Sequence, residues 1–357
     1  MHPNSKEKKF IPRLIAWEVT RSCNLNCVHC RAASSKGPYK NELTTQEIFR
    51  ILEEISEFAK PIIILTGGEP LLRPDIFDIA KKISQLGFKP VLATNGTLIT
   101  KDIALKIKES GITRVSISLD GANASSHDGF RQMPGAFEGA LKGIQALKKA
   151  GIPFQINTTL TGVNADELPK IHELTKKLSA VAHHIFLLVP VGRGKELEKH
   201  NLSPEKYEEI LHWFYDQREK SGIHLKATCA PFYYRILRQR AKKEGKPVNF
   251  ETFGLDAITR GCLAGIGFCF ISHVGIVQPC GYLEIPCGNL RENSFKDIWE
   301  NSEVFKNLRN FKKYKGKCGK CEYISVCGGC RARAYETTGD YLEADPLCPY
   351  QPKRLQK

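Results

Sequence analysis

The chain has 357 residues, with 53 lysines and arginines against 38 aspartates and glutamates, which gives a formal net charge of +15. Hydrophobic residues make up 41% of the chain and charged residues 25%, which excludes a disordered, collagen-like or low-complexity protein. No apolar stretch approaches the roughly twenty residues that a membrane-spanning helix requires. The positive charge is compatible with nucleic acid, an anionic membrane or an acidic substrate, and composition does not choose among them.

The first residues do not have the pattern of a secretory signal. They include Lys6, Lys8 and Lys9, but no apolar segment follows these lysines. We therefore expect a cytoplasmic protein without a membrane partner. Because that compartment keeps thiols reduced, the 13 cysteines are expected to bind metal rather than to form disulfides.

Six short β-branched runs alternate with segments of helical spacing between about residues 13 and 189. The runs are Leu14–Val19, Ile62–Leu65, Phe88–Ala93, Thr113–Ser118, Pro153–Thr159 and His184–Val189. Apolar residues spaced by three and four predict a helix after each of the early runs, and Thr44 with Glu47 forms a capping box at the start of the first helix. This alternation predicts an α/β fold whose parallel sheet has its helices on the outside.

The alternation stops near Val189, and the chain becomes cysteine-rich and loop-rich from Gly261 onward. The elements predicted there are helices at about Pro204–Glu219 and Pro231–Lys243, a hairpin around Gly275 and a short helix at about Phe295–Leu308. We therefore place a barrel-like domain at 13–195, a helical linker at 196–255 and a cysteine-rich domain at 256–350.

Three cysteines follow the first predicted strand directly. Cys23, Cys27 and Cys30 have the spacing Cys-x3-Cys-x2-Cys, and no fourth cysteine lies nearby in the chain. Structural zinc usually has four ligands, whereas three thiolates suit a 4Fe–4S cluster with one iron left open to a ligand. A zinc site or a chance grouping remains the alternative at this point.

Polar motifs end the next three predicted strands. They are Thr66-Gly67-Gly68-Glu69-Pro70, Thr94-Asn95-Gly96-Thr97 and Ser116-Ile117-Ser118-Leu119-Asp120-Gly121. Each motif alone is an ordinary turn. Because parallel α/β folds bind their ligands at the carboxyl ends of the strands, the three motifs and the cysteine loop together predict one ligand site.

The cysteine loop and the Gly-Gly-Glu-Pro motif, on six βα units, resemble the radical SAM superfamily over about residues 13 to 195. The resemblance implies a partial (β/α)6 TIM-type barrel and a catalytic 4Fe–4S cluster on Cys23, Cys27 and Cys30 that binds S-adenosylmethionine. One electron would then cleave this cofactor to methionine and a 5′-deoxyadenosyl radical. The implied cofactor contacts are Gly67, Gly68 and Glu69 to the amino group, Ser118 to the ribose and Arg131 to the carboxylate. His29 departs from the family, where many members have an aromatic residue.

The C-terminal cysteines resemble the SPASM domain of radical SAM enzymes, which holds two auxiliary 4Fe–4S clusters. Carried over by position, the first cluster has Cys262, Cys269, Cys280 and Cys330, and the second has Cys318, Cys321, Cys327 and Cys348. The spacing before Cys330 is one residue shorter than usual, and Cys287 is an extra candidate ligand. A zinc ribbon is the alternative at Cys318, Cys321, Cys327 and Cys330. Cys229 stands apart and is interpreted as a small buried residue.

The substrate is indicated by three blocks, Thr259–His273, Cys280–Glu284 and Cys327–Tyr335, which resemble haem-forming members of the SPASM group. That resemblance implies oxidative decarboxylation of two propionates of Fe-coproporphyrin III to vinyl groups, giving protohaem. The implied partners are an anionic tetrapyrrole and a small electron donor such as a ferredoxin or flavodoxin. The candidate carboxylate anchors are Arg193, Lys195, Arg235, Arg238 and Arg260, and the candidate ligands to the substrate iron are His183, His184, His224 and His273.

Three other functions remain open. The first is a peptide-modifying SPASM enzyme that forms thioethers or matures a sulfatase; such enzymes often have a recognition domain before the barrel, and 22 residues precede Cys23. The second is a sister haem-pathway enzyme that removes acetate side chains from a sirohaem derivative. The third is a non-catalytic nucleic-acid binder, which is disfavoured because the basic residues are dispersed over helices rather than gathered in one stripe with aromatic residues.

Overall fold

A computed structural model describes residues 10–356 of the chain. The N-terminal lysines, on which the prediction of no secretory signal rests, lie outside the described residues. Among the helices of residues 10–356, none combines the length and hydrophobicity needed to cross a membrane.

The described residues form a sheet of ten strands. The strands are β1 (Leu14–Thr20), β2 (Ile62–Gly67), β3 (Lys89–Thr94), β4 (Arg114–Ser118), β5 (Phe154–Leu160), β6 (Ala182–Leu187), β7 (His224–Thr228), β8 (Phe268–Ile271), β9 (Ile276–Gln278) and β10 (Gly288–Asn289). Their order is β10-β9-β8-β1-β2-β3-β4-β5-β6-β7. The strands from β8 through β7 in this order run parallel, and β9 and β10 continue the edge in antiparallel pairs.

Helices cover one face of the sheet and then fill the C-terminal region. They are α1 (Thr45–Phe58), α2 (Ile76–Gln85), α3 (Lys101–Glu109), α4 (Ala124–Arg131), α5 (Ala136–Ala150), α6 (Leu168–Lys177), α7 (Pro204–Gln217), α8 (Tyr233–Lys243), α9 (Phe250–Phe253), α10 (Leu255–Ile258), α11 (Phe295–Asn301), α12 (Glu303–Arg309), α13 (Gly316–Gly319) and α14 (Arg331–Thr338). The capping box of α1 is present, since the Thr44 side chain accepts from the Glu47 N–H and the Glu47 carboxylate accepts from the Thr44 N–H.

The prediction of six βα units is confirmed, and the ends of β1 to β6 differ from those of the predicted strands by at most two residues. Two features of the sheet were not predicted. β7 lies in the segment predicted as a helical linker, and β8 adds to the barrel sheet beside β1. Both strands are short, so their hydrophobic pattern is weak on its own, and each is stabilised by pairing with a distant strand. The sheet therefore continues from the barrel into both later regions.

The two faces of the sheet have different environments. Side chains alternate between faces along each strand, and Ile117 and Ile156 pack in the main hydrophobic core with residues of α3 and α5. Leu225 and Ala227 of β7 pack likewise in a second core with α7 and α8. Residues that alternate with these on the same strands point to the inner face, which is the face available to a ligand.

Candidate iron–sulfur and cofactor site

The cysteine loop runs from the end of β1 to the start of α1. Cys23, Cys27 and Cys30 pack together there with Leu25 and Ala136. Burial, helped by the nearby carboxylate of Glu69 and by the other two thiols, raises the pKa of the Cys23 thiol to about 12. The bare Cys23 thiol is therefore protonated at neutral pH, and the positive charge of a metal centre is needed to hold it as a thiolate.

Each sulfur of the loop accepts a hydrogen bond. Cys23 Sγ accepts from the N–H of Leu25 at 3.4 Å, Cys30 Sγ from that of Ser34 at 3.4 Å, and Cys27 Sγ from the guanidinium of Arg131 at 3.5 Å. Such donors compensate the negative charge of cluster thiolates and tune their potential. The donor set therefore fits a 4Fe–4S cluster with three cysteine ligands.

The zinc alternative fits less well. Among residues 10–356, no group of three or more His, Cys, Asp or Glu side chains converges on a point that could hold a single metal ion. Tetrahedral zinc requires such convergence, because every ligand atom lies about 2.3 Å or less from one ion. A 4Fe–4S cluster binds one thiolate to each iron, so its ligands stand farther apart.

The Gly-Gly-Glu-Pro motif is packed against the start of the cysteine loop. A Cβ atom at Gly67 would lie 2.2 Å from the carbonyl oxygen of Thr20, and one at Gly68 would lie 2.4 Å from that of Ser22. The N–H of Gly68 donates to Thr20 and the N–H of Glu69 to Ser22, both across this contact. The glycines are therefore required so that two strand ends can approach, which places the motif beside the cysteines.

The carboxylate of Glu69 is fully buried and ties together the ends of β2 and β3. It accepts from Thr94 Oγ1 at 2.7 Å and from the N–H groups of Asn95 at 2.8 Å and Leu71 at 3.1 Å. Burial raises the pKa of Glu69, and these donors oppose that rise. The motifs that end β2 and β3 thus meet as predicted, and Glu69 holds them together.

Arg131 lies between the cluster loop and β4. Its guanidinium pairs with the buried Asp120, which also accepts from the N–H of Thr159, and its Nε atom is buried without a hydrogen-bond partner in residues 10–356. Burial opposes the charge, but Asp120 and Cys27 outweigh it and hold the pKa of Arg131 above its usual value. An unpartnered donor beside the cysteines fits the carboxylate of a bound cofactor.

His29, the residue that departs from the family pattern, stacks on Phe130 with 4.5 Å between ring centroids. Burial, helped by Arg131 and Arg193, lowers its pKa well below the ordinary value, so the ring is neutral. Its Nδ1 atom is also buried without a partner among the described residues. The neutral ring of His29 therefore offers a flat stacking surface, as an aromatic residue would at this position, and in addition one polar atom.

Four C-terminal cysteines surround one cavity. Cys318, Cys321, Cys327 and Cys348 line it together. Cys321 accepts from the N–H of Tyr323 and Cys327 from that of Gly329, each at 3.4 Å, while Cys318 accepts from the N–H of Asp345 at 3.4 Å. The structure thus brings together the four residues that were grouped for the second auxiliary cluster, and their surroundings repeat the pattern of the first loop.

The grouping for the first auxiliary cluster differs from the structure at Cys269. Cys280 and Cys330 pack in a small cluster with Val189 and Leu283, and Cys262 is close enough to affect the pKa of both thiols. Cys269 lies on β8 opposite Ile15 and belongs to the helix-side core, as its neighbour Cys287 does. Because paired residues of neighbouring strands share a face, Cys269 points away from the other three.

The four arginines and one lysine suggested as carboxylate anchors each make contacts within the protein. Arg193 donates to the carbonyls of Cys27 and Ser34, and Lys195 pairs with Glu336. The remaining three are similarly held: Arg235 by Glu208, Arg238 by the carbonyls of Tyr234 and Ala257, and Arg260 by the carbonyl of Ile324. Arg193, Arg235 and Arg260 also have buried guanidinium nitrogens without a hydrogen-bond partner in residues 10–356. The role of these residues as carboxylate anchors therefore stays a prediction.

Among the suggested histidines, two are held by protein groups. His183 contacts Thr158 at 3.0 Å and His172 at 3.1 Å on the helix side of the sheet. His273 donates from Nδ1 to the Glu18 carboxylate at 3.1 Å. The other two candidates, His184 and His224, lie near each other with 5.9 Å between ring centroids.

A polar row crosses the inner face of the sheet. The strand register aligns Ser118, Asn157, His184 and Lys226 on four neighbouring strands. Gln155 donates from Nε2 to Asn157 Oδ1 at 3.0 Å and contacts His184 Nδ1 at 2.9 Å. Since an amide nitrogen can only donate, Nδ1 accepts and Nε2 of the neutral His184 ring carries the proton. That Nε2 atom is buried without a partner in residues 10–356.

Lys226 gives this row its charge. It takes part in no ion pair of 4.0 Å or less within residues 10–356, and it lies close enough to His184 and His224 to lower the pKa of both rings. Burial lowers its pKa, and Asp256 partly offsets that effect. Sequence analysis missed Lys226 because β7 was not predicted; the polar–apolar alternation of His224–Thr228 was the available signal.

Two family models match the chain. One, described as the radical SAM superfamily, matches residues 17–175, and the other, described as an iron–sulfur cluster-binding domain, matches residues 262–331. The first match contains the cysteine loop, the Gly-Gly-Glu-Pro motif and Arg131. The second ends just after Cys330.

Similar proteins match over most of their length. An AdoMet-dependent heme synthase of Methanosarcina barkeri is 57% identical over 341 residues, covering 96% of this chain and 97% of the relative. One of Oleidesulfovibrio alaskensis is 55% identical, covering 96% and 88%. Among solved structures, Streptococcus suis SuiB bound to S-adenosylmethionine has a TM-score of 0.75 at 16% identity, covering 95% and 77%, which is a likeness of fold alone.

Proposed function

The chain belongs to the radical SAM superfamily and has a C-terminal SPASM domain, and from this premise we propose that it makes haem from an iron porphyrin. The observation that carries the proposal is the near-full-length similarity, at 57% identity, to a protein named AdoMet-dependent heme synthase. The matched lengths include both the barrel and the cysteine-rich region, so the likeness is not confined to the shared cofactor domain.

The proposed substrate is Fe-coproporphyrin III, and the proposed reaction converts two of its propionates to vinyl groups. The hydrogen on the β-carbon of a propionate is unactivated, so acid–base chemistry cannot remove it. When bound, the cluster and S-adenosylmethionine would supply a primary carbon radical, and the hydrogen atom would leave with it as 5′-deoxyadenosine. Release of CO2 then leaves the new double bond and one surplus electron, and we assign that electron to an auxiliary cluster.

The residues of this chain have separate tasks in the proposal. Cys23, Cys27 and Cys30 hold the catalytic cluster, and the Arg131 Nε atom is the donor available to the cofactor carboxylate. Ser118 stands at one end of the polar row and Lys226 at the other. The row therefore offers a path on the inner face from the cofactor ribose to a basic anchor.

The substrate carries four carboxylates, and Lys226 with the Nε2–H of His184 is the proposed anchor for one of them. Both groups lie on the inner face, and neither donor is engaged in an ion pair within the described residues. A charge-assisted hydrogen bond to a carboxylate is stronger than a neutral one, and partial burial strengthens it further. This contact would hold a propionate that is not reacting while another is oriented toward the cofactor.

The test is an anaerobic assay of the reconstituted full chain with S-adenosylmethionine, a low-potential reductant and Fe-coproporphyrin III. We expect haem, with about two 5′-deoxyadenosines formed for each haem. Cys27→Ala should form neither product. If deoxyadenosine accumulates only when a peptide from a mixed panel is supplied, the haem proposal is wrong and a peptide-modifying function replaces it.

A further inference from the structure

Cys229 lies beside the first auxiliary group although it is 33 residues before Cys262 in the chain. It follows directly after β7 and has a φ of +55°, a left-handed backbone conformation that is uncommon for a residue with a side chain. It packs in the same small cluster as Cys280 and Cys330. Burial raises the pKa of its thiol well above the ordinary value, and the thiols of Cys330, Cys280 and Cys262 raise it further.

A buried ion pair connects the backbone of Cys229 to that of Cys330. Arg333 donates from Nη2 to the carbonyl of Cys229 at 2.8 Å, and the same guanidinium pairs with Asp345 at 3.1 Å. Asp345 in turn accepts from the N–H of Cys330 at 2.8 Å. Arg333 and Asp345 are at most 1% exposed. The positions of both cysteines are therefore set by one pair of buried charges.

The residue before Cys262 contacts the segment that follows Cys229. A Cβ atom at Gly261 would lie 2.5 Å from Cα of Pro231, so the chain before Cys262 touches the chain just after Cys229. A glycine is needed for this approach. Four cysteines from four separate chain segments thus meet, and Cys269 is on the opposite face of β8.

We propose that Cys229, Cys262, Cys280 and Cys330 are the four protein ligands of the first auxiliary cluster, and that Cys269 is a core residue. A strained backbone that directs a buried thiol toward three others fits a ligand better than a space-filling residue. This ligand also fixes the cluster to the end of a barrel strand. The assignment rests on the SPASM membership of the chain and not on its substrate.

The test compares Cys229→Ala with Cys269→Ala in the full chain, in a background where Cys23, Cys27 and Cys30 are all replaced by Ala. After anaerobic reconstitution, the background should hold about eight irons in two clusters. We expect Cys229→Ala either to lose about four irons or to keep them with an altered Mössbauer and electron paramagnetic resonance spectrum of one cluster. Cys269→Ala should keep both the iron content and the spectra.

Two results would overturn the assignment. One is a Cys229→Ala protein whose iron content and spectra equal those of the background; the other is loss of a cluster from Cys269→Ala. If Cys229→Ala does not fold, Cys229→Ser keeps the size of the side chain and is measured in its place. No substrate is used in these measurements, so failure of the haem proposal would leave their outcome unchanged.

Discussion

Glu18, at the carboxyl end of β1, accepts a hydrogen bond at 3.1 Å from Nδ1 of His273, in the turn between β8 and β9. The same buried carboxylate pairs with Arg21 and Arg31, each at 3.2 Å. Arg31 follows Cys30 directly, and its guanidinium also donates to the carbonyl of Gly281, the residue after Cys280. One carboxylate therefore connects the catalytic cysteine loop to the hairpin of the SPASM region.

Glu18→Gln should destabilise the fold, because it leaves two arginines facing a neutral amide. We expect the free energy of unfolding at neutral pH to fall by about 3 kcal/mol, as when one partner of a buried ion pair is removed. Urea denaturation of the metal-free chain under anaerobic conditions measures this change. Glu173→Gln, in an exposed pair with Lys176, is the control and should leave stability nearly unchanged, because water screens that pair. Equal effects of the two variants would refute the role of Glu18.

The Glu18 carboxylate should also make the free energy of unfolding depend on pH in the acid range. Burial acts to raise the pKa of Glu18, but His273, Arg31 and Arg21 outweigh it and lower the pKa from 4.5 to about 2. A lowered pKa means that the stabilisation is complete above about pH 4.5 and is lost as the pH falls toward 2. The difference in unfolding free energy between wild type and Glu18→Gln should therefore shrink over that range. A difference that is constant with pH would contradict the lowered pKa.

Gly67→Ala should displace the cysteine loop, since the added Cβ would lie 2.2 Å from the carbonyl oxygen of Thr20. We expect a loss of about 2 kcal/mol or more in stability, in the range for overpacking, and a lower iron content at the catalytic cluster. Thermal melts and iron analysis check both. Gly129→Ala is the matched control, because a Cβ in that helical position has no neighbour within 4 Å. A neutral effect of Gly67→Ala would show that the contact relaxes easily.

Lys226→Met should weaken substrate binding without removing iron from the clusters. Loss of one charge-assisted hydrogen bond corresponds to about 1.5 kcal/mol or more, or at least roughly a tenfold higher dissociation constant for Fe-coproporphyrin III. Titration followed by the porphyrin absorption band measures it, and Lys226→Arg should keep most of the affinity. Lys220→Met, at an exposed lysine, is the control. Unchanged affinity in Lys226→Met would remove this residue from the substrate site.

The affinity should also depend on pH through Lys226. Burial lowers the pKa of this lysine. Lysine is charged below its pKa, so binding should persist at lower pH and weaken as the pH rises through the lowered value. This alkaline decrease should be absent in Lys226→Met. A decrease of equal size in that variant would assign the effect to another group.

Cys348→Ala should remove the second auxiliary cluster. Because Cys348 lines one cavity with Cys318, Cys321 and Cys327, its loss is expected to lower the iron content by about four atoms or to change the spectrum of one cluster. Cys287→Ala is the control, since Cys287 packs against the helix-side core beside Cys269. Loss of iron in the control instead would restore Cys287 as a ligand.

Local sequence patterns were sufficient for much of the fold. The capping box at Thr44 and Glu47 and the β-branched runs of β1 to β6 depend on residues that are close in the chain, so their signals are strong without tertiary context. The hairpin at Gly275 is of the same kind, with a φ of +87° at the glycine. The short helix predicted at Phe295–Leu308 is interrupted at Ser302, which separates α11 from α12. A break between two helices, such as this one, depends on tertiary packing rather than on the spacing of apolar residues.

The sequence by itself determined that three closely spaced cysteines follow a strand and that further cysteines gather near the C-terminus. Only the tertiary structure decided which distant cysteines meet: Cys229 joins Cys280 and Cys330, while Cys269, paired opposite Ile15, faces the helices. The physical reason is that side chains alternate across a sheet with a period of two, so the register between strands sets the face on which a residue lies. Spacing along one segment contains no information about that register, and for the same reason Lys226 was recognised only after β7 had been placed beside β6.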